Sequence, residues 1–404
     1  MRIGFLLFHP LKESLGSVRR VFDLATGLKE KGVDSVIITP FSRRTKIHGI
    51  NVEELPNFFL KIGVGEHVYR VARNLTSSKF LGRFLVRFLV RNISYVSRKV
   101  DYAALESLQR LNLDILQIEQ EPTLLVVMPL VKELKIPLVL DFHGIWADEL
   151  VTQGLITRQN KEYHILQEMV RNAVAQMDAV LVMSEEMKQY IIQEYSTTPE
   201  KVHIIGMGTR PKIAKLPPRD GPTKVIYAGM LSKEKHADLF LKSIPYIVER
   251  SRDIKFYITK KGDMVKEALK VVKDFGANIE FFWFDDEERL LEFMSHCHIG
   301  VLTLPNNLSY RINPAAKFFD YISVGLPVLA NSIGGWTRAI EENGVGILTN
   351  DDPKDFAEGL LCLAENRDLA LRCSTRCLEV SQNKYSLDKI IMNLLAVYME
   401  LLGR

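Results

Sequence analysis

The sequence predicts an α/β fold of two doubly wound domains. Twelve short runs rich in Val, Ile and Phe recur along the 404 residues, each followed in most cases by a stretch of helical period. The runs lack clear alternation of apolar and polar residues, which suits strands buried on both faces of a parallel sheet. Residues 212–224 (KIAKLPPRDGPTK) are polar, Pro/Gly-rich and without periodicity, the composition of a linker between domains.

The first domain is expected over 1–212, with strands at 2–8, 34–39, 113–118, 137–142, 178–183 and 202–205. Its opening run, Met1 to Phe8, resembles the start of a secretory leader. It is too short for one and meets His9-Pro10 with no small-residue cleavage site, so a buried first strand is expected. A helix should follow from Gly16-Ser17-Val18 to Lys31, closed by Gly32. The second domain is expected over 213–385, with strands at 223–229, 254–259, 278–283, 298–304, 326–330 and 345–348. Strand–helix alternation on this scale implies right-handed crossovers in both halves. A last helix, about 386–402, has Ser386 as N-cap and Gly403 just past its end. Its apolar face could cover the second domain or pack back on the first.

Composition narrows the class. With 47% apolar and 25% charged residues the chain is ordinary globular protein. Four cysteines are too few for a disulfide scaffold and read as reduced thiols in a cytoplasmic protein. No apolar run approaches the roughly 18 to 20 residues that cross a bilayer. A net charge of +4 does not by itself argue for nucleic acid, and no motif does either. His296-Cys297-His298 falls where a helix gives way to a strand, so its side chains should diverge. Cys373 and Cys377 have no partner pair nearby. No metal is expected.

In open parallel sheets ligands bind beyond the carboxyl ends of strands, and four loops stand there. Tyr227-Ala228-Gly229 ends a strand, and the loop after it carries Lys235, a point charge suited to a phosphate. Asn313-Pro314 should cap and start a helix that stops at Gly325. The free N–H groups of Ala315, Ala316 and Lys317 would then form an anion site. Gly16 and Ser17 open a similar strand–loop–helix turn, without the GxGxxG of a dinucleotide fingerprint. His143 lies just past a strand end in Asp141-Phe142-His143-Gly144. Taken singly, these are equally a plain helix, a solvated lysine and a structural histidine.

Together, in order and spacing, they resemble the retaining glycosyltransferases of the GT-B fold, family 4 (group 1) in particular, over nearly the whole chain. Val180-Leu181-Val182-Met183-Ser184 and Val202-His203-Ile204-Ile205-Gly206-Met207-Gly208 resemble segments of that family's first domain. Tyr227-Ala228-Gly229 with Lys235 resembles its phosphate segment. Asp320-Tyr321-Ile322-Ser323-Val324-Gly325-Leu326-Pro327-Val328 resembles its most specific stretch, and Gly334-Gly335 and Gly344-Val345-Gly346 follow in order.

The resemblance implies two Rossmann-like domains with a donor cleft between them, and transfer from a nucleotide diphosphate sugar with retention. Gly16, Ser17, Gly229, Lys235, Ala315, Ala316, Lys317 and Asp320 would contact the donor, with Asp320 on the ribose. His143 and Lys235 would be catalytic, and no cofactor beyond the donor is implied. The acceptor would be a glycan or a lipid-linked precursor. Two departures stand out: Ile312 and Asp320 occupy the positions of the family's paired glutamates, and Met230 that of its diphosphate arginine. A Pro-x-x-Lys-x-x-Glu-Tyr version of the segment fits Pro314, Lys317, Asp320 and Tyr321. A catalytically silent homologue that binds sugar or a partner protein, and a nucleotide-sugar epimerase, are the alternatives.

Between Lys61 and Lys99 there are nine Lys/Arg and one acidic residue, Glu66. On a helix, Lys79, Arg83, Arg87, Arg91 and Arg98 share an arc of about 120°, flanked by Phe and Leu. Such a stripe is either a solvated face or a surface for anionic lipid or a phosphate-bearing acceptor, at the inner face of the cell membrane.

Overall fold

The computed structural model describes residues 1–8, 11, 16–41, 45–56, 86–88, 90, 102–210 and 221–403. The chain divides into two compact units, Met1–Gly206 with Ile390–Arg404, and Met207–Lys389. The first boundary falls before the expected 212/213 because Thr209 is stitched to the far end of the second unit. Its N–H donates to the Tyr385 carbonyl at 2.7 Å, its hydroxyl meets Ser381 Oγ at 2.8 Å, and its carbonyl accepts from the Leu387 N–H at 2.8 Å.

The first unit is built on an eight-stranded sheet: β1 (Arg2–Leu6), β2 (Asp34–Thr39), β3 (Lys46–Ile47), β4 (Ile50–Glu54), β5 (Ile115–Glu119), β6 (Leu138–Asp141), β7 (Ala179–Val182) and β8 (Val202–Ile204). The order is β3-β4-β2-β1-β5-β6-β7-β8. Phe5 in β1 stands in register with Ile37 of β2 and Gln117 of β5. Both faces are covered, which is why β1, β2, β5, β6 and β7 read as continuous apolar runs. The sequence reading contained neither β3 nor β4. They form an antiparallel edge hairpin turned by His48 and Gly49, both at positive φ (47° and 77°), the backbone of a tight two-residue turn.

The helix Leu387–Leu401 starts in the second unit and from Ile390 onward belongs to the first. There Leu394 and Tyr398 are fully buried. Gly27 makes room for it: a Cβ at that position would lie 2.6 Å from Ile391 Cγ1.

The second unit is a six-stranded parallel sheet of β9 (Thr223–Tyr227), β10 (Ile254–Thr259), β11 (Ile279–Phe282), β12 (Ile299–Leu302), β13 (Val328–Asn331) and β14 (Gly346–Thr349). Its order, β11-β10-β9-β12-β13-β14, is the doubly wound arrangement, with the reversal between β9 and β12. Separate apolar clusters cover its faces, one around Phe240 and Phe256, the other around Phe318, Tyr321 and Ile226. The Tyr321 hydroxyl donates to the Val301 carbonyl at 3.0 Å and accepts from the Ala228 N–H at 3.1 Å, joining β12 to the end of β9. Gly300 lies under that ring, where a Cβ would come within 2.7 Å of it. Among the described residues no helix is long and apolar enough to cross a membrane.

Candidate functional site

In the second unit the loops at the carboxyl ends of the strands are held rigidly. After Gly229, Ser232 caps a single turn at Lys233–Lys235, its Oγ accepting from the Lys235 N–H at 3.3 Å. Thr303, just past β12, donates its hydroxyl to the Lys235 carbonyl at 2.9 Å. Lys235 Nζ donates to the Tyr310 hydroxyl and lies 4.8 Å from the centroid of that ring. Tyr310 sits on the short helix Leu308–Ile312, and its carbonyl accepts from Trp336 Nε1 at 2.7 Å. Behind it Gly335, at φ +59°, lies against the Arg311 carbonyl, where a Cβ would stand at 2.1 Å. Only glycine fits there.

The helix expected to begin at Pro314 begins at Ala316 instead and runs to Ser323. Asn313 ends the preceding short helix, and the proline that follows it favours its extended backbone (φ −112°, ψ 109°). Ala315 takes the cap position with no side chain to bond the first turn, so those N–H groups point out of the helix end without a built-in acceptor. Lys317 and Asp320 lie one turn apart on this helix, Nζ to Oδ2 2.7 Å, with Asp320 itself buried. Of the two departures, Met230 is exposed and Ile312 is buried at 5%. Gly229, Lys235, Ala315, Ala316, Lys317 and Asp320, the residues expected to contact a donor, lie on the segments that follow the neighbouring strands β9 and β12.

The first unit presents a different chemistry. The helix Gly16–Glu30 follows β1 and starts at Gly16 and Ser17. Its Arg20 reaches the carboxyl ends of β5 and β6, where Nε bonds Asp141 Oδ2 at 2.8 Å and Nη1 donates to the Gly206 carbonyl. His143 Nε2 lies 2.9 Å from Glu119 Oε2 and 3.5 Å from Asp141 Oδ2. Its Nδ1 faces the Gln120 side-chain amide at 3.2 Å. Gln120 holds that position at φ 70°, ψ 154°, a strained backbone for a residue with a side chain. Gln117 donates to Glu119 Oε1 at 2.7 Å and accepts from the Tyr398 hydroxyl at 2.5 Å.

Arg20, Glu119 and Asp141 are buried, at 4%, 1% and 0% exposed, and the His143 side chain is 8% exposed. Burial pulls the His143 imidazole down, but the Asp141 charge and the bonds to Asp141 and Glu119 outweigh it and push it up to about 9. Burial raises Glu119; for Asp141 the charges of Arg20 and His143 overcome burial and lower it. Next in the chain, burial pushes Glu121 up to about 8, although it accepts from the Trp146 N–H at 2.6 Å. Glu119, Asp141 and His143 carry ligand atoms within 4.8 Å of one another, the spacing of a cation site. Asp141 already holds the Arg20 guanidinium on that oxygen, so a metal would meet a fixed cation.

Sequence reasoning placed His143 and passed over Arg20, Glu119, Gln120 and Tyr310. Lys79, Arg83, Arg91 and Arg98 of the basic stripe lie outside the described residues. Arg87 is exposed, with Nε 3.6 Å from Glu162 Oε1. His298 is buried and accepts from the Lys224 N–H at 2.8 Å. Cys297, Cys373 and Cys377 are buried free thiols and Cys362 an exposed one.

Residues 15–212 match the family described as Glycosyltransferase Family 4, and residues 222–366 the one described as Glycosyl transferases group 1. Spore coat protein SA of Bacillus subtilis is 26% identical over 192 residues, 44% of this chain and 49% of that protein. Alpha-D-kanosaminyltransferase of Streptomyces kanamyceticus is 21% identical over 251 residues, 57% of this chain and 62% of that protein. The chain therefore spans about half to three-fifths of the length of these curated relatives. The crystal structure of Anabaena Alr3699/HepE in complex with UDP superposes at a TM-score of 0.69 with 15% identity, covering 99% of this chain and 100% of that one.

The buried acids and the histidine set the direction of the pH dependence. His143, raised to about 9 from 6.5, gives stability that is complete below pH 6.5 and lost as pH rises through 9. Glu121, raised to about 8 from 4.5, is neutral in the fold and loses stability over pH 4.5 to 8. Calorimetric melting should fall steadily from pH 6 to 9, and less steeply in Glu121→Gln. A melting temperature that rises over this range would contradict both assignments.

Proposed function

Since the chain belongs to the family 4, group 1 glycosyltransferases and has their GT-B fold, we propose that it moves a sugar from a nucleotide diphosphate sugar to an acceptor with retention of configuration. The observation that carries the proposal is the clustering of Lys235 and the uncapped start of the helix Ala316–Ser323 on the segments after β9 and β12. A lysine and a helix N-terminus on neighbouring strand-end segments suit a leaving diphosphate, whose charge grows as the glycosidic bond breaks. Gly229 leaves the backbone open to the phosphates, and Asp320, one turn below, would take the ribose hydroxyls on exchanging its bond to Lys317. In the first domain the proposed donor contacts are Gly16 and Ser17, and the proposed catalytic residue is His143. No cofactor beyond the donor is invoked. The UDP bound by the Anabaena protein and the sugar transfer named for the Streptomyces relative support the same class of donor.

Met230, exposed where the family has arginine, and buried Ile312 favour a weaker grip on the diphosphate. The same observation is what a silent, sugar-binding homologue would show. For the acceptor we propose a glycan or lipid-linked precursor, met at the cytoplasmic membrane surface through the basic stripe Lys79, Arg83, Arg87, Arg91 and Arg98.

Calorimetry with nucleoside mono- and diphosphates tests the donor half. Diphosphate should bind more tightly than monophosphate, and Lys235→Ala should weaken it about tenfold or more, as for loss of a charged hydrogen bond. Met230→Arg should tighten it severalfold. Equal affinity in wild type and Lys235→Ala would sink the assignment. Diphosphate release with no glycoside formed on any acceptor would support the silent reading, a free epimerised sugar the epimerase, and the anomer of a true product reads out retention. Wild-type protein should co-sediment with anionic vesicles at low salt, and a triple Gln variant at Arg83, Arg87 and Arg91 should not. Indifference of the wild type to anionic lipid would leave a solvated stripe and a soluble acceptor.

A further inference from the structure

The buried cluster at the carboxyl ends of β5 and β6 has a property that the donor proposal does not require. Two carboxylates, Glu119 and Asp141, are buried here with one guanidinium, that of Arg20, which is paired to Asp141. A buried unbalanced charge is far costlier than a paired one, so a second positive charge is called for. The candidate is in contact. His143 Nε2 lies 2.9 and 3.5 Å from oxygens of the two carboxylates, a place where a nitrogen lone pair would be repelled.

We propose that Glu119 is a positioning residue for His143: with Asp141 it takes up the Nε2–H and, with Arg20 closing the quartet, holds the ring as a fixed imidazolium, so that His143 orients and attracts but accepts no proton in the reaction. The carboxylate is aimed by a relay from the C-terminal helix. Tyr398 donates to Gln117, and Gln117 donates to Glu119 Oε1, leaving Oε2 for the histidine. The proton resides on the ring rather than on Glu119 because Asp141, kept ionised by Arg20, draws on the same Nε2. The other ring nitrogen is also provided for. Gln120, clamped by its own N–H to the Asp141 carbonyl at 3.0 Å, can turn its amide oxygen toward Nδ1–H. Among the described residues the ring meets Glu119, Asp141 and Gln120, with Arg20 paired to Asp141 and Tyr398 at one remove.

The test is a long-range ¹H–¹⁵N titration of the full chain with ¹⁵N-labelled histidine, the His143 signal among the nine histidines assigned by its loss in His143→Gln. At pH 7 both ring nitrogens of His143 should be protonated, and the ring should titrate only above pH 8. Glu119→Gln should lower that midpoint by about one unit or more, the size expected for losing an adjacent opposite charge. Tyr398→Phe, which frees Gln117 to turn, should lower it less. A His143 ring carrying one proton at pH 7 would overturn the proposal without any variant. So would a midpoint unmoved in a folded Glu119→Gln protein, or selective broadening of His143 by micromolar Mn²⁺, since the metal would have to replace the proton. No donor is present, so failure of the sugar-transfer proposal and failure of this one are read separately.

Discussion

Between β9 and β12 the chain reverses the order in which it lays down strands, and the loops leaving these two neighbours pass to opposite faces of the sheet. Neither loop can cover the other's strand end, so the backbone there must be satisfied by something else. Tyr321 does this from the inside, its hydroxyl bridging Ala228 and Val301 over Gly300. An unpaired buried N–H at Ala228 would cost about 1–3 kcal/mol. The same helix that sends Tyr321 inward begins at Ala316 with an uncapped first turn and carries Lys317 and Asp320. One eight-residue helix therefore bridges the reversal point and presents its uncapped N-terminal end.

The two units solve opposite electrostatic problems at the carboxyl ends of their strands. In the second, the strand-end segments carry Lys235 and an uncapped helix terminus, groups that suit the anion proposed there. In the first, the ends of β5 and β6 carry Glu119 and Asp141 into the interior, and charge must be brought to them from within the protein. Arg20 and His143 supply it, and the geometry is demanding because a buried pair broken on one side typically costs about 3–5 kcal/mol. Gln120's strained backbone is intelligible as the consequence: it is held by the Asp141 carbonyl on one side and the His143 ring on the other.

Strands buried on both faces were legible in the sequence because they are mostly apolar, with Gln117 and Glu119 in β5 and Asp141 at the end of β6 among the polar exceptions. The β3–β4 hairpin was not, since Lys46 to Glu54 is short, at the sheet edge and polar on one side, and its turn signal is His48-Gly49 rather than the commoner Asn-Gly. Asn313-Pro314 carried a true boundary signal that was assigned to the wrong helix: it ends one and separates it from the next. Lys235 and His143 could be placed past strand ends by local pattern alone. Their partners could not, because Tyr310 is 75 residues from Lys235 and Arg20 is 121 from Asp141, and an isolated charge in a sequence carries no mark of what it will meet.

Amide hydrogen exchange of the full chain with and without a nucleoside diphosphate tests most directly whether the second unit's strand-end loops hold the donor. Slowed exchange should appear at residues 229–235, 303–310 and 315–320, with the Ala316 and Lys317 amides among the most affected. Protection absent from these segments, or confined to amides of the first unit while the nucleotide is bound, would contradict the account.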